Sequence, residues 1–175
     1  MADSIRGHSY DVYPEEIQKG ILLHRSIDSF TDMHPIYRQS KHRLHEKYGH
    51  YSGVIMDIFY DHLLAKNWSN YSDEKLEDYA DDFYHLLKDN YEILTEKVKN
   101  MIPYMFARNW LVSYATIDGL QMIMFHMDHR TKNRVDMHES IVELLENYIE
   151  FENEFTLFFD ELRQHCADKL KELNG

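Results

Sequence analysis

Two rows of polar side chains carry the chemistry that this sequence could do. The first is His24, Asp28 and Asp32, set in the run Gly20-Ile21-Leu22-Leu23-His24-Arg25-Ser26-Ile27-Asp28-Ser29-Phe30-Thr31-Asp32. Apolar residues at Ile17, Ile21, Ile27 and Phe30 make this run a helix, and polar residues four apart then stack along one side of it. The second row is Asp57 and Asp61, followed directly by His62, in Met56-Asp57-Ile58-Phe59-Tyr60-Asp61-His62-Leu63-Leu64. An imidazole and carboxylates on one stripe can share a cation or position a water. If the two helices pack face to face, their nitrogen and oxygen ligands converge in a set that suits Mn, Mg, Fe or Zn better than a thiolate-loving metal. Such a cation would activate water and neutralise a phosphoryl oxygen. Two alternatives stay open. His24 and Asp28 also fit an ordinary surface pair worth roughly 0.2–0.5 kcal/mol, and one of the two α-helical aspartates could face solvent. Burying both in so apolar a stretch is costly unless a cation or a donor meets them.

Other candidates are weaker. His126, Asp128 and His129 lie close together, with His126 and His129 three apart on one helix face. Asp128 and His129 read as an exposed helix end. His126 sits among Met122, Met124 and Met127, a methionine stripe that serves as core filler or lines a long flexible pocket. Arg130 could bind a phosphate or close its helix end. Cys166 is the single cysteine and lies in a polar run, which excludes an internal disulfide and a thiolate zinc site. There is no phosphate-cradling glycine loop and no HExxH motif.

Helices must position these groups. With 6 Gly and 3 Pro in 175 residues, breakers are too few for many tight-turned strands. Pro14, Glu15 and Glu16 open the helix bearing His24, and Pro35 disfavours helix at His34. Pro35 opens a second helix that runs to Lys47, with Gly49 as its stop. A third spans Ser52 to Asn67. Ser72 is placed to cap a fourth over Asp73 to Leu87. Tyr91 to Ile102 is amphipathic and is interrupted by Pro103, and Phe106 to Ala115 is apolar. Asp118 to Asp128, Asp136 to Ile149 and Phe151 to Leu173 complete the pattern, the last anchored by Phe151, Phe155, Phe158 and Phe159. The expectation is an all-α, single-domain multi-helix bundle over residues 1–175, with helices over 136–173 at its C-terminal end.

Bulk composition narrows the function classes. Hydrophobic residues make up 43% and aromatics 14%, enough for a globular core. The net charge of −12, from 31 acidic and 19 basic residues, argues against a nucleic-acid binder. No secretory apolar region and no run long enough to cross a bilayer is visible, so a cytoplasmic home without membrane attachment is expected.

The run Gly20 to Asp32, the run Asp57-Ile58-Phe59-Tyr60-Asp61-His62-Leu63-Leu64-Ala65-Lys66-Asn67-Trp68, and Asn109-Trp110-Leu111-Val112-Ser113-Tyr114 resemble, in order and rough spacing, the acyl carrier protein phosphodiesterase family. The start, Met1-Ala2-Asp3-Ser4-Ile5-Arg6-Gly7, is similar to that family's Ala-Asp-Phe-(Val/Ile)-(Arg/Lys)-Gly stretch. The likeness spans 14–130 best and fades in the last helices. It implies an all-helical fold similar to the HD-type phosphohydrolases. It also implies hydrolysis of the phosphodiester that joins the 4′-phosphopantetheine arm to a serine of acyl carrier protein. A divalent cation is implied, with Mn2+ favoured and Mg2+ or Fe2+ as alternatives. Carried over by position, Asp3, His24, Asp28, Asp61 and His62 become metal-site candidates. Arg25 joins Asp28, Asp61 and His62 as a catalytic candidate. Asp32, Asp57 and Trp68 become supporting or substrate-contacting candidates, joined by His126 and Arg130 from the reading of the residues themselves.

Three departures from the family pattern set further expectations. The family carries an additional N-terminal segment with an Asn-Phe-Leu-Ala-His-like motif, and this chain reads as starting just after it, so a further histidine ligand is expected upstream. Phe125-His126-Met127-Asp128-His129-Arg130 stands where the family has a Gly-Met-Ser-like turn before Arg. Carrier protein is acidic, so docking needs a local basic surface, for which Arg38, Lys41, Arg43 and Lys47 on the second helix are the candidates. Two other functions stay open: a related helical phosphohydrolase acting on a small phosphoester, and an inactive helical binding protein of the same fold.

Overall fold

The structure, a computed structural model, describes residues 2, 5, 7–131 and 134–175, and of residue 130 the backbone alone. The described residues contain helices and no strand, as the scarcity of breakers implies. Helix α1 (Glu15–Met33) has Glu15 and Glu16 in its first turn, where they complement the helix dipole. It stops at His34, which is extended (φ −67°, ψ 127°) because Pro35 follows. Helix α2 (Pro35–Tyr48) ends on Gly49, whose φ of 51° lies in the left-handed half of backbone space that glycine enters without penalty.

Helix α3 (Ser52–Lys66) is the centre of the molecule. Ile55, Met56, Ile58, Phe59, Tyr60 and Leu63 are buried on its flanks, and a helix apolar on most sides belongs inside. The long C-terminal helix α9 (Tyr148–Asn174) lies across it. Phe151 meets Phe59 edge-on at 5.5 Å and Phe155 meets Tyr60 at 5.3 Å, so these phenylalanines are core anchors. Each full burial of this kind contributes roughly 1.5–3 kcal/mol. Helix α9 also packs on α1 and α2, with His165 stacked on Phe30 at 4.6 Å and bonded to Ser26 at 2.8 Å. On α3, Asp57 and Asp61 share with Val54 and Lys66 the positions that reach solvent.

The remaining helices are α4 (Leu76–Asp89), α5 (Glu96–Ala107), α6 (Trp110–Ser113), α7 (Ile117–Arg130) and α8 (Ile141–Glu146). Several boundaries depart from the sequence pattern. Asp136 to Ile149 is a 3-10 turn (Met137–Ser140) followed by α8, with α9 already starting at Tyr148, and the helix read from Tyr91 starts at Glu96. Helix α4 starts three residues late, because the Ser72 hydroxyl accepts the Glu74 amide in a local turn instead of capping a helix. Pro103 does not interrupt its helix. It sits inside α5 at an exposed position, where water can satisfy the carbonyl freed four residues earlier. No helix among the described residues is long and apolar enough to cross a membrane.

Candidate active site

The two polar rows meet in one crevice. Asp57 on α3 lies within range of the charges of Asp32 and Asp28 on α1. Burial pushes the Asp57 carboxyl above its ordinary range. The Tyr37 hydroxyl, which donates to Asp57 Oδ1 at 2.6 Å, pulls it back, and Asp32 pushes it up again. Lys41, one turn along α2 from Tyr37, lies 5.3 Å from the Tyr37 ring centre and is the cation whose charge reaches Asp57. On α1, His24 Nδ1 is 2.9 Å from Asp28 Oδ2, the spacing the sequence row implies.

Asp61 is the most perturbed carboxyl in this crevice. Surrounding protein desolvates it, the Asp57 charge adds repulsion, and a bond from the Tyr114 hydroxyl only partly offsets them, so its pKa is pushed up to about 7. Its side chain is nevertheless exposed. Together these describe a carboxylate on the floor of an open crevice, walled by protein and reached by water. Tyr114, held by the same interaction, has its phenol pushed well above the ordinary range, first by burial and then by Asp61. Such a carboxyl exchanges a proton near neutral pH, as a general base or acid requires.

His62 does not join the row. Adjacent positions on a helix point about 100° apart, and the residue after Asp61 faces the core. His62 is 1% exposed, with Nδ1 2.7 Å from the Tyr114 carbonyl and Nε2 3.0 Å from the Tyr148 hydroxyl. Lys66 donates to that same hydroxyl at 2.9 Å. Burial holds the ring below its ordinary pKa, which fits a neutral imidazole donating through Nδ1 and accepting through Nε2. His62 therefore fixes the backbone of Tyr114, whose hydroxyl meets Asp61.

The other sequence candidates disperse. Arg25 donates from Nη2 to the Ile5 carbonyl at 2.8 Å and stands over the Tyr10 ring, tying the N-terminal stretch to α1. Asp3 lies outside the described residues, as does the Arg130 side chain. Trp68 donates to the Glu74 carbonyl at 2.8 Å and holds the turn between α3 and α4. His126 meets Arg108 and opens on a different cavity. Asp128 is not an exposed helix end. It is 3% exposed and accepts from the Met137 amide at 2.7 Å, the His138 amide at 3.2 Å and His138 Nδ1 at 2.6 Å. On the basic helix face, Arg43 grips the Glu154 carboxylate with both terminal nitrogens, and Lys47 pairs with Glu143 at 2.9 Å. Arg38 and Lys41 are left with no ion pair among the described residues.

Tyr37 and Tyr114 are the residues that sequence reasoning missed. Tyr114 closes the third quoted motif, but nothing in its neighbourhood signals that a hydroxyl from beyond α5 returns to an α3 carboxylate.

The model of the family described as "Acyl carrier protein phosphodiesterase" matches residues 1–162. The chain belongs to the acyl carrier protein phosphodiesterase family. It is similar to the proteins named acyl carrier protein phosphodiesterase from Pectobacterium atrosepticum, at 27% identity over 94% of this chain and 86% of that one. The proteins of that name from Photorhabdus laumondii and an Escherichia coli O6:H1 strain are 26% and 25% identical, each over 97% of this chain. They cover 86% and 88% of those relatives. Membership places the chain among hydrolases that act on a phosphodiester. No solved structure matches it.

The cation that the resemblance implies can be tested against the donors in this crevice. In kind they fit: an imidazole beside Asp28, and Asp57 and Asp61 each pushed upward by burial first and by a neighbouring carboxylate after it, a charge that a cation relieves. As a closed shell they do not, because no three His, Cys, Asp or Glu among the described residues converge on one point.

Proposed function

We propose that this protein hydrolyses the phosphodiester between the 4′-phosphopantetheine arm and the serine of acyl carrier protein, releasing apo carrier protein and 4′-phosphopantetheine. The carrying observation is the approach of the α1 acidic row to Asp57, one turn from the proton-exchanging Asp61, in a member of this family. Water supplies the incoming oxygen: its bond to phosphorus forms as the bond from phosphorus to the serine oxygen breaks. Asp61, whose pKa lies near neutrality, takes the proton of that water and returns one to the serine oxygen as it leaves. Tyr114 orients Asp61, and His62 holds Tyr114 in place. Tyr37 fixes Asp57 beside them.

A divalent cation, Mn2+ in the first instance, would neutralise the phosphoryl oxygens and lower the pKa of the attacking water. His24 and Asp28 are the residues of this chain that would hold it, with Asp3 added from the N-terminal stretch, while Asp61 stays free to take the proton. Arg38 and Lys41 supply the local positive surface that an acidic carrier protein needs. The protein would act in the cytoplasm, where carrier protein is available.

A second reading, hydrolysis of a small phosphodiester without carrier-protein docking, is favoured by one observation: Arg43 and Lys47 are already paired to acids of this same chain. Incubation with Mn2+ and holo carrier protein, read by intact mass spectrometry, separates the two. Loss of the arm's mass supports the first. An unchanged carrier protein alongside cleavage of a small phosphodiester removes the first and supports the second.

A further inference from the structure

Helix α5 has no buried residue, although its sequence is amphipathic, because it roofs a space instead of sealing a core. That space is a cavity of about 800 Å3 between α5 and α7, with α6 as its floor. Its size lies within the range of small-molecule sites, ~300–1,000 Å3. Met101, Trp110, Met122 and Ile123 supply apolar wall from all three helices. Gly119 lets α6 press against α7: a Cβ there would lie 2.0 Å from the Ser113 carbonyl oxygen. The Trp110 indole N–H is buried in the wall without an acceptor among the described residues.

The charge around this cavity is opposite to that of the molecule. In a chain of net charge −12, its described lining holds Lys97, Arg108, His126 and His129 and no carboxylate. All four are exposed, and none has an acidic partner among the described residues. Arg108 Nη1 and His126 Nε2 are 2.5 Å apart, so His126 serves as acceptor to the guanidinium. Burial, then the charges of Arg108 and His129, keeps its pKa below the ordinary value. At 1.5 Å per residue, Lys97 lies about 16 Å along α5 from Arg108. An adjoining hollow, shared through Arg108, Met122 and His126, carries Asp118.

We propose that this cavity binds a free single-chain fatty carboxylate, its aliphatic tail between Met101, Trp110, Met122 and Ile123 and its head on the Arg108 guanidinium beside His126 and His129. Apolar walls take up the tail by excluding water from it, at roughly 0.8 kcal/mol for each buried methylene. A guanidinium without a carboxylate partner supplies bidentate recognition of the head. The described lining of this cavity includes neither Asp57 nor Asp61, and the inference does not rest on the reaction proposed above.

Isothermal titration calorimetry of the full chain with sodium dodecanoate below its micelle concentration tests it, with no carrier protein and no divalent cation present. The expected result is saturable binding of one molecule per chain, weakened about tenfold or more by Arg108→Glu and by Met122→Glu. Met122 is 51% exposed, and both variants are to be checked by circular dichroism for retained helix. Dodecyltrimethylammonium, with the same tail and a cationic head, should bind at least tenfold more weakly. The absence of saturable heat, equal affinity for the two headgroups, or unchanged affinity in both variants would overturn the proposal. So would binding of 4′-phosphopantetheine in place of dodecanoate. Hydrolysis of holo carrier protein is read by mass, so either result leaves the other standing.

Discussion

Asp61 and Asp128 are carboxylates of the same chain placed in opposite circumstances. Asp128 is buried at the end of α7 and receives two amides and an imidazole from the turn that follows, so each oxygen is occupied. Asp61 stands on the floor of an open crevice with one phenol for company and the Asp57 carboxylate close by. Burial alone therefore does not mark a working carboxylate. What separates the two is donor satisfaction: a saturated carboxylate holds structure together, and an unsaturated one that water can reach is ready to take a proton or a cation.

Substituting each in turn is the strongest way to break that contrast. Asp61→Asn should lower arm release from holo carrier protein by about 10^3-fold. Its melting temperature should stay level or rise, because a desolvated charge is removed without a lost partner. A variant that keeps full activity, or that unfolds, would erase the distinction. Asp128→Ala should do the reverse, costing about 3 kcal/mol in urea unfolding by leaving buried donors unpaired while activity per folded molecule survives. Unfolding curves that superimpose on those of the unsubstituted protein would contradict it.

The Arg43–Glu154 pair sharpens the contrast at a smaller scale. Burial would raise the Glu154 carboxyl, but bonds from Arg43 and Ser40 outweigh it and hold the group below its ordinary value. A depressed folded pKa means stability that is fully present above the unfolded value near 4.5 and is lost as pH falls through the folded value. Glu154→Gln should cost about 1–2 kcal/mol at neutral pH and flatten the loss of stability below pH 4.5. Parallel acid-unfolding curves for the two proteins would count against this role. The smallest effect should come from Lys41→Ala. It should raise the KM for carrier protein about 2–5-fold with kcat held, and the difference should shrink as salt is added. A salt-independent change in kcat would instead place Lys41 in the chemistry through Asp57.

Much of the frame was legible because its signals are local. Pro35 and Gly49 bracket α2, the phenylalanines of α9 mark the core, and the spacing of His24 with Asp28 survives as a 2.9 Å contact. What escaped depends on partners from distant sequence. The His62 partners come from 52 and 86 residues away, and the Arg43 partner from 111. Periodicity shows which residues share a face of one helix, but not which other element brings a donor to that face. His62 thus read as a ligand next to Asp61, though adjacent positions diverge by about 100°. Asp128 read as a helix end because the pattern from Asp136 onward, though helical, does not show that Met137 and His138 fold back over it. Pro103 misled for another reason: an exposed helix side tolerates what a buried one does not.

The central claim is that the Asp61 crevice directs water to the phosphorus of the carrier protein's arm. Hydrolysis in 18O-labelled water, with Mn2+ and holo carrier protein and mass analysis of both products, tests it most directly. The predicted result is one 18O on the phosphate of 4′-phosphopantetheine and none on the apo carrier serine, with both products absent for Asp61→Asn. Label on the serine, or undiminished product from Asp61→Asn, would contradict it.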